Sequence, residues 1–405
     1  MWLEPREVVQ VQLDRLLRGG TGLLAQQQWF AHAPHLPAPV AVDAGSVVLL
    51  GALSPREWAP ARALRATHGA ACVRSLLKAG LLIGSTRPWR DQREADERHA
   101  ALHWHPLAAA WHAQSRWQGV DSAREASEAG IDTAQGLRQR HGLPPLHVHE
   151  RAQARQRQRL APAAADPFDA LLDARLTCRN FDRDAQVTRA QLSQLLARVF
   201  GARADVAATA DFHLLKRTSP SGGGLHPVDC HLLVQRVRRL APGLYHYHPV
   251  AHALEPLLPG VAPPAAGDAG THAPAAGDGP WTAAAWRALA RIAVAGQDWF
   301  ADAPVLCVLA PRYARNYWKY RNHPKAYRVV ILDAGHLSQT LQLCATQMGL
   351  GAFVTAAINE IDIEHAFGLE AMQDGPLAVC GFGPRAQAMR QFEFDPLQRT
   401  WPRPG

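Results

Sequence analysis

Residues 216–227 read Lys216-Arg217-Thr218-Ser219-Pro220-Ser221-Gly222-Gly223-Gly224-Leu225-His226-Pro227, a serine- and glycine-rich stretch between two apolar runs. Glycine admits positive φ and close backbone approach, and serine hydroxyls donate or accept, so the stretch suits a polar ligand. It is not a P-loop, which ends in Gly-Lys-Ser/Thr, nor a nucleophile elbow, which needs Gly-x-Ser-x-Gly. By itself an ordinary turn is the more economical reading. Upstream, Arg175-Leu176-Thr177-Cys178-Arg179-Asn180-Phe181 offers arginines, whose guanidinium forks grip phosphate oxygens bidentately and stay charged. Exposed helix arginines are more commonly just solvated. Downstream, Lys319-Tyr320 lies between Trp318 and Arg321. A lysine serves as a general base where desolvation or a neighbouring cation weakens its hold on the proton; read alone, this one is a surface lysine beside packing aromatics. The fourth segment is Gly381-Phe382-Gly383-Pro384-Arg385. His103-Trp104-His105, His147-Val148-His149 and His246-Tyr247-His248 place alternate imidazoles on one face if extended, yet none has a third ligand at a diagnostic spacing, so no metal is expected.

In this order the four segments resemble the flavin-dependent nitroreductase superfamily. Within it they are similar to the SagB/ThcOx-type dehydrogenases that oxidise azoline rings in ribosomal peptides, and most of all to proteins described as peptide maturation dehydrogenases. The resemblance covers about residues 165–390. It implies an α+β, FMN-dependent nitroreductase-like fold and a homodimer. It assigns Arg175, Thr177 and Arg179 to the FMN phosphate, with Arg385 closing that site from the C-terminal side, and Ser219, Ser221, Gly222 and Gly223 to the isoalloxazine and ribityl groups. The stretch 349–357 would pass beside the flavin ring, which carries over Val354 and Thr355; Ala356 and Ala357 stand where relatives often have an acidic residue or glycines. Lys319 would be the base and Tyr320 its assistant. Gly224 replaces the asparagine of typical nitroreductases, which points away from a generic nitroreductase. The implied function is oxidation of thiazoline or oxazoline rings to azoles in a ribosomally made precursor peptide, with a cyclodehydratase as a further partner and dioxygen reoxidising the flavin. Two other readings stay open: an NAD(P)H-dependent reductase of nitro, quinone or dehydroamino acid substrates, and a non-catalytic peptide-binding scaffold.

The elements that must position these residues are partly readable. Residues 1–150 lack the motifs and read as a separate domain for peptide recognition or packing. In it residues 46–53 are apolar, Ser54-Pro55 reads as an N-cap followed by a first-turn proline, a helix over 71–79 stops at Gly80, and Leu81-Leu82-Ile83 predicts a strand. Short helices with a strand suggest a winged-helix-like unit. Its Arg56, Arg62, Arg65 and Arg74 would favour an acidic leader peptide paired along a strand edge. Residues 151–165 are basic and rich in alanine and proline, which marks a linker, and 166–405 form the catalytic domain. In that domain 212–215, 230–237, 243–247, 305–309 and 377–380 predict strands, and the stretch 259–280, rich in Ala, Gly and Pro, predicts an exposed disordered loop. Val330, Ala334, Leu337, Leu341, Cys344 and Met348 recur at fours and threes along one face of a long helix ending near Gly349.

Composition sets the outer bounds. The 405 residues, 47% hydrophobic, can build two domains with a large core. Six scattered cysteines without a CxxC pair argue against zinc and a redox dithiol. The net charge of +8 is spread along the chain apart from residues 151–159, which reads as a solvated linker, so no nucleic-acid partner is expected. The N-terminus lacks the basic and apolar regions of a secretory signal, and no apolar run approaches the roughly 18 residues that span a bilayer, so the expected location is the cytoplasm with no membrane contact.

Overall fold

The computed structural model describes residues 1–402 apart from 37, 55, 56, 152, 162, 163 and 265–279. It forms two compact units, Met1–Arg116 with Tyr313–Tyr327, and Trp117–Arg312 with Arg328–Gly405. Most of the 259–280 loop and the Ser54-Pro55 helix start lie outside the described residues.

The first unit opens on a long antiparallel hairpin of β1 (Trp2–Val11) and β2 (Leu23–His32), to which the short β3 (Val40–Val42) adds. Three helices follow, Ala44–Ala52, Ala61–His68 and Ala70–Lys78, with Leu49, Leu50, Val73 and Leu76 as their core. Asp43 caps the first by accepting from the Ser46 N–H at 2.7 Å, and Gly80, at φ 72°, turns the chain out of the third. The strand expected at Leu81-Leu82-Ile83 does not form. The Leu81 and Leu82 N–H groups instead donate back to the Leu76 carbonyl at 3.0 and 3.2 Å, which closes the helix end and folds both leucines against the same core. The helices Arg90–Ala101, Pro106–Ser115 and Tyr313–Lys319 also belong to this unit.

The second unit begins at Trp117, whose segment is bound into it: the Trp117, Gly119 and Val120 N–H groups donate to the side chains of Glu360, Asp362 and Asn359 at 2.8 to 2.9 Å, and Asp121 pairs with Arg291 at 2.6 Å. A two-stranded ribbon, β4 (Ala204–Thr209) with β5 (Phe212–Lys216), leads into the serine-glycine stretch. The strands β6 (Val228–Val234), β7 (Gly243–His248), β8 (Ala253–Leu257), β9 (Val305–Pro311), β10 (Gly351–Thr355) and β11 (Ala378–Gly383) form one antiparallel sheet in the order β10-β11-β9-β6-β7-β8. Helices cover both faces. Cys230, Leu232, Val305, Cys307, Leu309 and Cys380 face the helices Arg189–Val199 and Ala326–Gln347, while Leu233, Leu306, Val308 and Val379 face Ala283–Ala293 and Glu360–Phe367. Burial on both sides is why β9 reads as an unbroken apolar run. The fold is therefore α+β, as expected.

Candidate functional site

The serine-glycine stretch joins β5 to β6 and is held by one buried carboxylate. Asp333, on the helix Ala326–Gln347, accepts from the Ser221 hydroxyl at 2.5 Å and from the Gly222 N–H at 3.1 Å. The Ser221 oxygen in turn accepts from the His226 N–H at 2.9 Å. Ser219 bonds Thr340 at 2.8 Å, and a His336 ring nitrogen lies 3.2 Å from the Pro220 carbonyl oxygen. Burial pushes the Asp333 carboxyl up, with the Ser221 hydrogen bond opposing. Gly223 and Gly224 sit at φ 66° and 69°, a region glycine enters freely, and a Cβ on Gly222 would lie 2.1 Å from Val329 Cγ1. The two serine hydroxyls and the Gly222 N–H thus fix the shape of the loop.

Arg217, at the head of the stretch, is 2% exposed. One terminal nitrogen donates to the Val228 carbonyl at 3.1 Å; its Nε and Nη2 have no partner. Desolvation lowers its pKa against the pull of Asp229. Arg217 lines a small cavity with Ser221, His226, Val228 and Asp333. Buried polar groups are normally satisfied, so two idle donors on a residue that borders a cavity call for an acceptor the chain does not itself supply. Arg217 was assigned no role from sequence, where nothing distinguishes it from Lys216.

The four residues expected at a phosphate share another edge. The helix Pro167–Ala174 is set by a reciprocal cap between Asp166 and Asp169 and ends at Arg175, which donates to the Gln342 side chain at 2.9 Å. Thr177 then bridges Ala352 in β10, and Phe181 bridges Arg385 beyond β11, so residues 175–181 line up along the sheet end that carries Arg385. Glu393 organises this edge. It accepts from the Arg179 N–H at 2.5 Å, the Asn180 N–H at 2.9 Å, Trp401 Nε1 at 2.8 Å and Arg385 Nη1 at 2.7 Å. Burial raises the Glu393 carboxyl, but the hydrogen bonds from Trp401 and Arg179 and the charge of Arg385 outweigh it and hold the group below the usual carboxylate range. Arg385 is therefore committed to an ion pair, with its other nitrogen 3.3 Å from the Leu176 carbonyl oxygen. Nothing in the sequence announces Glu393, whose partners lie up to 214 residues away.

Val354 and Thr355 lie in β10. Thr355 accepts from the Gln297 amide at 3.2 Å and the Ala357 N–H at 3.1 Å, which commits its hydroxyl to the following turn. Lys319 and Tyr320 belong to the other unit, where Lys319 is exposed and its ammonium lies 5.5 Å from the Tyr320 ring centroid. Desolvation of Lys319, one of the two ways to make a lysine a base, is thus not supplied by the chain itself. Among the described residues no group of three or more His, Cys, Asp or Glu is arranged to hold a metal ion. No helix among them is long and apolar enough to cross a membrane.

The donor set suits the phosphate and polar groups of a ligand such as FMN: cationic Arg175 and Arg179 at one edge, idle nitrogens on Arg217, and a glycine backbone at φ > 0 between polar anchors.

Comparison with known proteins bears on this arrangement. The model of the family described as Nitroreductase family matches residues 172–384. A Methanocaldococcus jannaschii protein with a provisional nitroreductase name is 25% identical over 147 residues, 36% of this chain; the chain spans 61% of the length of that relative. Among solved structures, a chain of the Escherichia coli microcin synthetase McbBCD complex with truncated pro-MccB17 bound is similar at a TM-score of 0.46 and 19% identity, covering 71% of this chain and 94% of the other. A protein of Desulfovibrio desulfuricans with a provisional nitroreductase name, in complex with FMN, is similar at 0.31 and 15%, covering 56% and 94%.

Proposed function

This chain belongs to the nitroreductase family, and from that premise we propose that it is an FMN-dependent dehydrogenase that oxidises azoline rings in a ribosomally made peptide. The observation that carries the cofactor is the serine-glycine loop, tied down by Asp333 beside the unpartnered nitrogens of buried Arg217. The Lys319-Tyr320 pair and the glycine at position 224 favour azoline oxidation over generic nitroreduction.

Arg175, Thr177 and Arg179 would neutralise the phosphate, and Arg385 would act through Glu393 by holding the 179–180 backbone in place. Ser219, Ser221 and the Gly222 N–H set the loop, and Gly222 and Gly223 would lie against the cofactor. Val354 and Thr355 would border the ring. FMN, when bound, supplies the hydride acceptor. Turning an azoline into an azole removes a proton and a hydride from adjacent ring atoms, and Lys319 takes the proton at Nζ while the Tyr320 ring faces its ammonium. Because Lys319 is exposed in the chain alone, the bound peptide must cover it, which desolvates the base only when substrate is present. Dioxygen is the proposed final acceptor, and a homodimer, a precursor peptide and a cyclodehydratase the proposed partners, in the cytoplasm.

The test is the visible spectrum of the purified protein, mass spectrometry of the released cofactor, and reaction with a synthetic thiazoline peptide. Bound FMN and loss of two hydrogens from the peptide are expected. Bleaching by NADPH without peptide oxidation would establish the reductase instead, and failure to bind any flavin would leave the scaffold.

A further inference from the structure

The helix Tyr313–Lys319 is seven residues long, well below the ~12–15 at which an isolated helix holds itself together, so something else must fix it. It buries one face. Tyr313, Asn316 and Tyr317 are fully enclosed at 0% exposure, while Trp318 and Lys319 stand outside.

What encloses them is an aromatic seat in the N-terminal part of the same unit. The Trp104 ring centroid lies 4.6 Å from both Tyr313 and Tyr317. His112, on the helix Pro106–Ser115, stacks on Trp104 at 5.4 Å and meets Tyr313 edge-on at 5.1 Å. Its Nδ1 lies 2.9 Å from the Tyr327 hydroxyl, in a buried hydrogen bond. The excursion 313–327 is thus gripped near both its ends by one pair of residues, Trp104 and His112. Between the grips, the Asn316 amide donates to the Ala326 carbonyl at 3.0 Å and the Asn322 N–H to the His103 carbonyl at 2.9 Å. Lys319 and Tyr320 lie midway along this closed loop.

We propose that Trp104 and His112 are positioning residues for Lys319, so that the N-terminal unit takes part in the chemistry by holding the base in place. The proposal rests on the reading of Lys319 as the base. A catalytic group displaced by about an ångström loses on the order of 10²-fold in rate, and a lysine on an unsupported short helix has that freedom. The chain order agrees: the chain leaves the second unit after Arg312 and returns to it at Arg328.

The test uses full-length, FMN-loaded protein carrying His112→Phe, His112→Asn or Tyr327→Phe; the last removes only a hydroxyl and keeps the ring. Deuterium uptake of residues 313–327 is followed by mass spectrometry, together with FMN content and kcat and KM on a synthetic thiazoline peptide. His112→Phe and Tyr327→Phe should raise uptake across 313–327 with FMN content unchanged, and lower kcat about 10- to 100-fold with KM within about twofold. His112→Asn, which offers an amide near the Nδ1 position, should recover most of both. Unchanged uptake in His112→Phe and Tyr327→Phe overturns the proposal. Raised uptake with full turnover leaves the grip on the helix but overturns the positioning role, while loss of turnover in Lys319→Ala under the same conditions would keep Lys319 as the base.

Discussion

At the scale of single residues, Lys319 and His231 make opposite demands on solvent. Lys319 is exposed, and as the proposed base it would act only under a bound substrate, so Lys319→Ala should retain FMN and fold while azole formation falls about 10²- to 10⁴-fold, the usual share of a general base. Retained peptide oxidation in that variant, measured by mass loss, would remove Lys319 from the mechanism. His231 is buried on β6 opposite His246 on β7, with an unpartnered Nδ1, and burial first, then the neighbouring His246, pushes its pKa down to about 4. The unfolded chain protonates the same ring near 6.5, so between those values the unfolded state holds more protons. Stability present above pH ~6.5 is therefore lost as pH falls towards about 4, by about 3 kcal/mol from this group. His231→Phe should flatten that part of the profile, as read by denaturant unfolding at about pH 7 and about pH 4.5; an unchanged slope would mean that other groups carry it. The serine-glycine loop was legible as a turn between two strands because its composition is local. The work of Asp333 was not: its bonds to Ser221 and Gly222 cross 112 and 111 residues, and a carboxylate in a helix gives no sign of what it will meet.

At the scale of elements, the loop is fitted to the helix Ala326–Gln347 as closely as to any ligand. A methyl group on Gly222 would press on Val329 Cγ1 at 2.1 Å, so Gly222→Ala should destabilise by about 1–3 kcal/mol through overpacking and loosen the loop. Val329→Ala makes room for it. In the double variant the two costs should not add, with a coupling of at least about 0.5 kcal/mol by thermal unfolding; strict additivity would show that the two do not press on each other. Elements with a strong burial pattern were readable in advance: the stripe from Val330 to Met348 became the helix Ala326–Gln347, and the apolar run at 305–309 became β9. The hairpin β1–β2 was not, because most of β1 is exposed on both faces and gives no period-two alternation. Leu81-Leu82-Ile83 misled for a related reason: an apolar triplet after a helix stop is equally suited to capping the helix beneath it.

At the scale of the whole molecule, the first unit is discontinuous, made from the N-terminus and a fifteen-residue excursion that carries Lys319 and Tyr320. Its removal should therefore do more than weaken peptide capture. A chain lacking residues 1–116 loses Trp104 and His112, and the expected outcome is lost turnover on leader-bearing and leaderless thiazoline peptides alike, with FMN still bound. Full activity on the leaderless peptide would confine this unit to recruitment. The edge held by Glu393 has a different consequence, one of timing. Arg179 and Asn180 find their partner 213 to 214 residues later, and at about 5 to 20 residues per second the ribosome delivers it roughly 10 to 40 s after them. Until then the segment has Gln342 and β10 to lie against, but not the carboxylate that fixes the 179–180 backbone. Cofactor loading would then wait for Glu393, and nascent chains arrested before it should emerge colourless.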